Sequence, residues 1–345
     1  MVLTSHYAYM LAPGPSLLNF LWTGVDLFFV ISGFVFGPAV FSGVGPLVPY
    51  ALRRFFRIYP LYFFSLVLYL LVAPADPEKY VYFVRHLFFL GTASSAHEAF
   101  FFNPAYWSLP AEVEYYLALP LLALILVKRH WAIWALLGVF LLVRLAIAAT
   151  ATPFSVPEPN LPAILKIHLP GVMIEFLAGV ALYWVYRRFR RSPRRGWPTL
   201  VLIVGLTQWL ALGLFFVGYG DQGIKDSLWL RAYFSFLCAA SYSFILFGLL
   251  NLASYRSKRF LKIAAVFGSL SFGVYLFHFL VLKVYQGSGV SLPGPVAYVV
   301  CLFAVLTLSI IAHYLVESPL RDFGRRLAQQ WLVAMPGIPE RSRSV

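Results

Sequence analysis

Nine stretches of this chain are long and apolar enough to cross a bilayer, near residues 21–42, 58–74, 105–127, 131–150, 169–186, 199–218, 230–252, 263–285 and 294–316. A helix needs about 20 mostly apolar residues to traverse the hydrocarbon layer. Inside that layer every backbone N–H and C=O has to be satisfied within the protein, so runs of this length read as helices. A shorter apolar run at 3–12 reads as a tenth span, incomplete at its N-terminal side. The segment 80–91, YVYFVRHLFFLG, is too short to cross and reads as an interfacial or re-entrant helix. The expected fold is an all-α polytopic membrane protein of about ten transmembrane helices. Composition excludes a soluble globular domain: 61% of the residues are hydrophobic and 12% charged, against about 25% charged in soluble domains.

A net charge of +14 would suggest nucleic acid in a soluble protein. Its distribution here gives a different reading. If the segments alternate direction, 20 of the 27 Lys and Arg residues fall on one side. They include Arg53, Arg54, Arg57, Lys128, Arg129, the arginines of RRFRRSPRR (187–195), Arg256, Lys258, Arg259, Lys262, Arg321, Arg325, Arg326, Arg341 and Arg343. Six fall on the other side, and Arg144 lies within a span. Cytoplasmic loops are enriched in Lys and Arg, so both termini are expected in the cytoplasm. The charges are expected to meet membrane lipids, not nucleic acid. Cys238 and Cys301 lie in apolar runs and read as packed thiols. No disulfide framework or metal motif is visible, and no metal is expected. No internal repeat and no cleavable signal peptide are apparent. Residues 1–320 read as one transmembrane domain and 321–345 as a short basic cytoplasmic tail. The outer loops 75–104 and 151–168 are the longest and are placed to cover an outward-facing site.

Ionisable side chains within spans are costly, so each is a functional candidate by default. Asp26, in GVDLFFVISGFVF, also reads as a helix-start carboxylate near the interface, stabilised by the helix dipole. Glu112 and Glu114, in WSLPAEVEYYLALPLL, are spaced by two and point to different faces. They suit either chemistry or an ion pair that fixes packing. Tyr275 and His278 share one helix face, where a hydrogen-bonded packing histidine is the plainer alternative. His313 and Glu317 stand one turn apart, and Pro319 marks the expected helix end. Arg53, Arg54 and Arg57 form a compact cationic patch that serves either topology or phosphate binding. The run at 187–195 reads more simply as topology or anionic-lipid contact. His86 and His97 carry no pattern.

Five stretches, in order along the chain, together resemble the membrane acyltransferase 3 family of integral O-acyltransferases. They are GVDLFFVISGF (24–34), RRFFRIYPLY (53–62), WSLPAEVEYYLALPLL (107–122), FGVYLFHFLVL (272–282) and LVESPLR (315–321). The resemblance implies a ten-helix core in the bacterial cytoplasmic (inner) membrane. It implies transfer of an acyl group, most commonly acetyl, from cytoplasmic acyl-CoA to a hydroxyl of a glycan, glycolipid or secondary metabolite. By its distance to GVDLFF, His6 matches the family's first-helix histidine, which the resemblance casts as the catalytic base. The arginine that the family carries eleven residues earlier would fall outside the chain, so the resemblance also implies an N-terminal truncation. Glu112 matches the glutamate of WSLxxE, a motif that Trp107 and Ser108 open. Arg53, Arg54 and Arg57 match the family's cytoplasmic arginine cluster, the implied CoA-phosphate site. Asp26 and Ser32 match polar positions of the second helix, and Tyr275 and His278 a late tyrosine–histidine pair.

Acyl transfer needs a base for the acceptor hydroxyl and a donor environment for the thioester oxyanion. Neutral imidazole suits the first task near neutral pH. The expected mechanism has His6 take the hydroxyl proton while Glu112 orients or polarises a reacting group. The arginines hold the CoA phosphates. Two other readings use the same residues. One is a transporter or flippase of a lipid-linked glycan, against which the lack of an inverted repeat speaks. The other is an inactive truncated homologue.

Overall fold

The computed structural model describes residues 1–153, 159–189, 196–252 and 258–334. Sixteen α-helices follow one another along these residues: α1 (Val2–His6), α2 (Ala8–Leu11), α3 (Leu17–Phe20), α4 (Gly24–Ser42), α5 (Leu47–Val72), α6 (Lys79–Leu87), α7 (Ala96–Phe101), α8 (Ser108–Leu126), α9 (Ala132–Thr150), α10 (Leu161–Ile167), α11 (Leu169–Phe189), α12 (Trp197–Asp226), α13 (Leu228–Asn251), α14 (Lys258–Gly287), α15 (Gly294–Ala312) and α16 (Ser318–Ala334). Among the described residues nine helical segments are long and apolar enough to cross a membrane, and there is no strand. The chain is an all-α polytopic membrane protein. The run at 3–12 forms the two short helices α1 and α2, which meet at Tyr7. Cys238 and Cys301 are buried free thiols, as their apolar surroundings suggested.

The tightest packing joins α4 to α11. A Cβ at Gly33 would stand 2.0 Å from the Phe176 carbonyl oxygen, and one at Gly179 would stand 2.0 Å from that of Val30. Without a driving force from water, membrane helices associate by close van der Waals contact, and small residues let the backbones meet. Phe29 and Tyr115 lie against the Phe176 ring on either side of this contact, at 4.7 and 4.1 Å between centroids. Gly33→Ala is expected to destabilise the protein by at least about 1–3 kcal/mol, the usual cost of overpacking. A lowered melting temperature of the purified variant would show it; unchanged melting would refute the backbone contact.

Two boundaries differ from the sequence reading. First, α5 begins at Leu47, so Arg53, Arg54 and Arg57 lie within a helix and not in the loop before it. The helix tolerates them because they find partners. The Arg54 guanidinium lies over the Phe36 and Tyr116 rings, 4.8 and 5.8 Å from their centroids, and Arg57 pairs with Glu317. Second, α15 passes through a single π-turn at His313–Glu317 into α16. Pro319, the second residue of that next helix, does not end the chain's helical course: it follows the π-turn, where the regular hydrogen-bond ladder is already interrupted. The following helix, α16, packs on α5, with Phe323 and Phe56 5.4 Å apart. Residues 335–345, with Arg341 and Arg343, lie outside the described residues, as do Arg190, Arg191, Arg194, Arg195 and Arg256.

The segment 75–104, expected as an outer loop, contains α6 and α7. His86, which showed no pattern in sequence, is buried there at 2% exposure. Its Nδ1 lies 2.8 Å from the Tyr82 carbonyl oxygen, and burial pushes the imidazole below its ordinary pKa. Lys283 of α14 donates to the carbonyls of Phe101 and Phe102 at 2.9 and 2.7 Å, strapping the loop to the bundle.

Candidate active site

A loop and two helix faces bring the candidate residues together. Asn103 accepts a hydrogen bond from the Ala105 N–H and donates to the Leu276 carbonyl at 3.1 Å. It thereby sets the short 3-10 turn Pro104–Trp107 against α14, and α8 starts from that turn. Ser108 and Glu112, four residues apart, share one face of α8. Both are buried.

On α14, the Tyr275 hydroxyl donates to the Ala105 carbonyl at 2.6 Å. Its single proton is thus engaged, and Ser108, 2.6 Å away, is the donor of the second bond. His278 is fully buried with Nδ1 2.8 Å from the Tyr275 carbonyl oxygen; among the described residues its Nε2 has no partner. The His6 ring stacks near it at 5.4 Å and 28°, and rests 4.4 Å from Phe279. The neighbouring Tyr7 hydroxyl donates to the His278 carbonyl at 2.6 Å, which pins α1 to α14. One turn along α8, Glu112 accepts from the Ser32 hydroxyl at 3.1 Å and neighbours the Tyr116 hydroxyl. The cations that act on Glu112 are Arg54 and Arg57.

His6, His278, Tyr275, Ser108, Glu112 and Ser32 therefore form one polar track through an apolar bundle. The arginines of α5 stand at its Glu112 end. Arg57 is held by Glu317, which also lies 2.9 Å from His313 Nδ1 and 3.7 Å from Arg321. The expected His313–Glu317 pairing is thus part of a larger cluster. Trp107 packs edge-on against Phe29 at 6.1 Å.

Asp26 goes elsewhere. It lies in the first turn of α4, as a helix-start carboxylate would, but is buried at 5% exposure beside the ion pair of Arg144 on α9 and Glu175 on α11. Arg144 also donates to the Gly171 carbonyl at 2.9 Å. Glu175 escaped the sequence reading although the signal was there: one acidic and one basic residue stand in otherwise apolar spans. Glu114 points to the opposite face from Glu112, as their spacing predicts. It accepts from the Leu169 N–H at 2.7 Å and lies 2.5 Å from His168 Nδ1, so it caps the start of α11. Among the described residues no cluster of three or more His, Cys, Asp or Glu is placed to hold a metal.

A family described as "Acyltransferase domain" matches residues 1–314. The chain belongs to that family. A Staphylococcus aureus (strain COL) protein named Putative O-acetyltransferase is 22% identical over 331 residues, 87% of this chain and 53% of its own length. Exopolysaccharide production protein ExoZ of Rhizobium meliloti is 26% identical over 313 residues, covering 88% of this chain and 90% of its own. The chain spans about half the length of the staphylococcal relatives it matches. No solved structure matches it.

Proposed function

We propose that the protein is a membrane O-acyltransferase that moves an acyl group, acetyl in the first instance, from acyl-CoA to a hydroxyl of a glycan or glycolipid. The observation that carries this reading is the polar track from His6 to Glu112, ending beside the arginines of α5, in a chain of the acyltransferase family. The face that holds Arg53, Arg54 and Arg57 is the cytoplasmic one in this proposal, because it carries the excess of basic residues. In this proposal the protein resides in a bacterial inner membrane. Two of the similar proteins come from bacteria, and the name of ExoZ points to exopolysaccharide as the kind of acceptor.

In the proposed reaction the acceptor hydroxyl oxygen attacks the thioester carbonyl carbon. The hydroxyl proton passes to the unprotonated nitrogen of His6. The C–S bond then breaks, and the coenzyme A thiolate takes up that proton. Glu112, held by Ser32, orients a reacting hydroxyl. His278 supports His6 from behind, its own Nδ1 being engaged with the Tyr275 carbonyl. Purified protein in lipid nanodiscs, given acetyl-labelled acetyl-CoA and membrane extract, is expected to release coenzyme A and move label to an alkali-labile ester. Movement of a lipid-linked glycan across the bilayer without release of coenzyme A would replace the enzyme reading by the transporter one.

A further inference from the structure

Next to the turn between α4 and α5 the structure carries a cleft of about 210 Å³ lined by Phe41, His130, Trp184, Arg187 and Arg188. Its floor is aromatic. Phe41 is buried and meets the His130 ring edge-on at 5.4 Å; Trp184 is half-buried. Its rim is cationic and exposed: His130 closes the link after α8, and Arg187 and Arg188 sit in the last turn of α11. Arg188 lies 5.8 Å from the Trp184 ring centroid. Among the described residues neither Arg187 nor Arg188 is ion-paired to a carboxylate. Flat aromatic surfaces beside unpaired guanidinium groups suit a ligand that joins a planar base to phosphate: the base stacks and the fork of N–H donors binds the phosphate oxygens.

Position ties this cleft to the polar track. Phe41 lies nine residues beyond Ser32 on α4, about 14 Å along the helix axis at 1.5 Å per residue. Arg53 and Arg54 lie just past the turn that ends α4, and Arg57 is already balanced by Glu317. The arginines of α5 thus leave part of a highly charged donor without counter-charge. We infer that this cleft seats the adenosine 3′,5′-bisphosphate end of the acyl-CoA donor, with the pantetheine arm running along α4 toward Ser32 and Glu112. The inference rests on the proposed acyl-CoA donor.

The test compares two donors: acetyl-CoA, and acetyl-4′-phosphopantetheine, which lacks the adenosine bisphosphate. The double variant Arg187→Ala/Arg188→Ala is expected to raise KM for acetyl-CoA by about 10- to 100-fold, the usual effect of losing hydrogen bonds to a charged group. It is expected to leave the KM for acetyl-4′-phosphopantetheine and both kcat values at wild-type levels. Arg326→Ala, which removes one exposed charge elsewhere, is expected to change neither KM. Equal shifts for both donors, or none, would overturn the assignment while leaving the donor itself standing. Calorimetry with adenosine 3′,5′-bisphosphate alone separates the two readings. Binding to wild type that the double variant loses supports the cleft even if no acetyl transfer is found; absence of binding to wild type refutes it. If the double variant instead loses co-purifying phosphatidylglycerol while nucleotide binding persists, the cleft holds a lipid headgroup and the assignment is wrong.

Discussion

His6→Gln is expected to lower acetyl transfer by about 100- to 10,000-fold, the range that a positioned general base contributes. Glutamine keeps a polar, similarly sized side chain against Phe279, so α1 stays pinned by the Tyr7 bond to the His278 carbonyl. It cannot accept and hold a proton from a hydroxyl, and it also gives up the ring contacts with His278 and Phe279, which the melting temperature reads. The measurement is kcat for release of coenzyme A in the presence of acceptor, alongside the melting temperature of the same sample. Unchanged kcat would remove His6 from the mechanism. A matching His278→Gln variant tells the two imidazoles apart. If His278 only supports its neighbour, its loss lowers the rate less than the loss of His6; a larger loss at His278 would instead make its bare Nε2, opposite the Nδ1 that faces the Tyr275 carbonyl, the base.

Glu175→Ala is expected to destabilise the bundle by about 3–5 kcal/mol, the cost of removing one partner of a buried ion pair. Arg144 is 8% exposed and its guanidinium is shared between Glu175 and the Gly171 carbonyl. Without Glu175 it keeps a carbonyl and the neighbouring Asp26 carboxylate. If Asp26 takes over as counter-ion, Asp26→Asn added to Glu175→Ala will cost more than the sum of the two single changes; independent sites would simply add. Thermal unfolding in detergent reads both quantities. A Glu175→Ala protein that melts with wild type would show that the pair contributes nothing to stability.

The spans were legible in the sequence because each is one continuous apolar run, and such runs announce themselves without any partner. Pairings between spans were not legible, since they depend on how helices are rotated against one another. Glu175 meets Arg144 only because α11 packs on α9, and Asp26 joins them only because α4 lies on the other flank of α11. The start of α5 was placed too late for a related reason. Arg53, Arg54 and Arg57 look like loop residues until Phe36, Tyr116 and Glu317, from three other segments, are seen beside Arg54 and Arg57. The two faces of α8 were readable from spacing alone, and Glu112 and Glu114 do diverge. That Glu114 caps α11 required knowing where α11 begins, which the apolar run at 169–186 gives only to within a few residues. The histidine candidates were found by type and motif; that two of them stack is a tertiary fact.

Where Gly33 and Gly179 let backbone touch backbone, no layer of side chains lies between α4 and α11 to yield under load. Those two helices behave as one stiff spine. Ser32, adjacent to Gly33, is thereby fixed in height, and so is the carboxylate it holds. The contact of α1 with α14 is of another kind: the rings of His6, His278 and Phe279 meet there, beside the Tyr7 bond to the His278 carbonyl. Rings can slide and rotate; a carbonyl pressed against a Cα cannot. The protein thus sets Ser32 beside a backbone contact and His6, the proposed base, among rings.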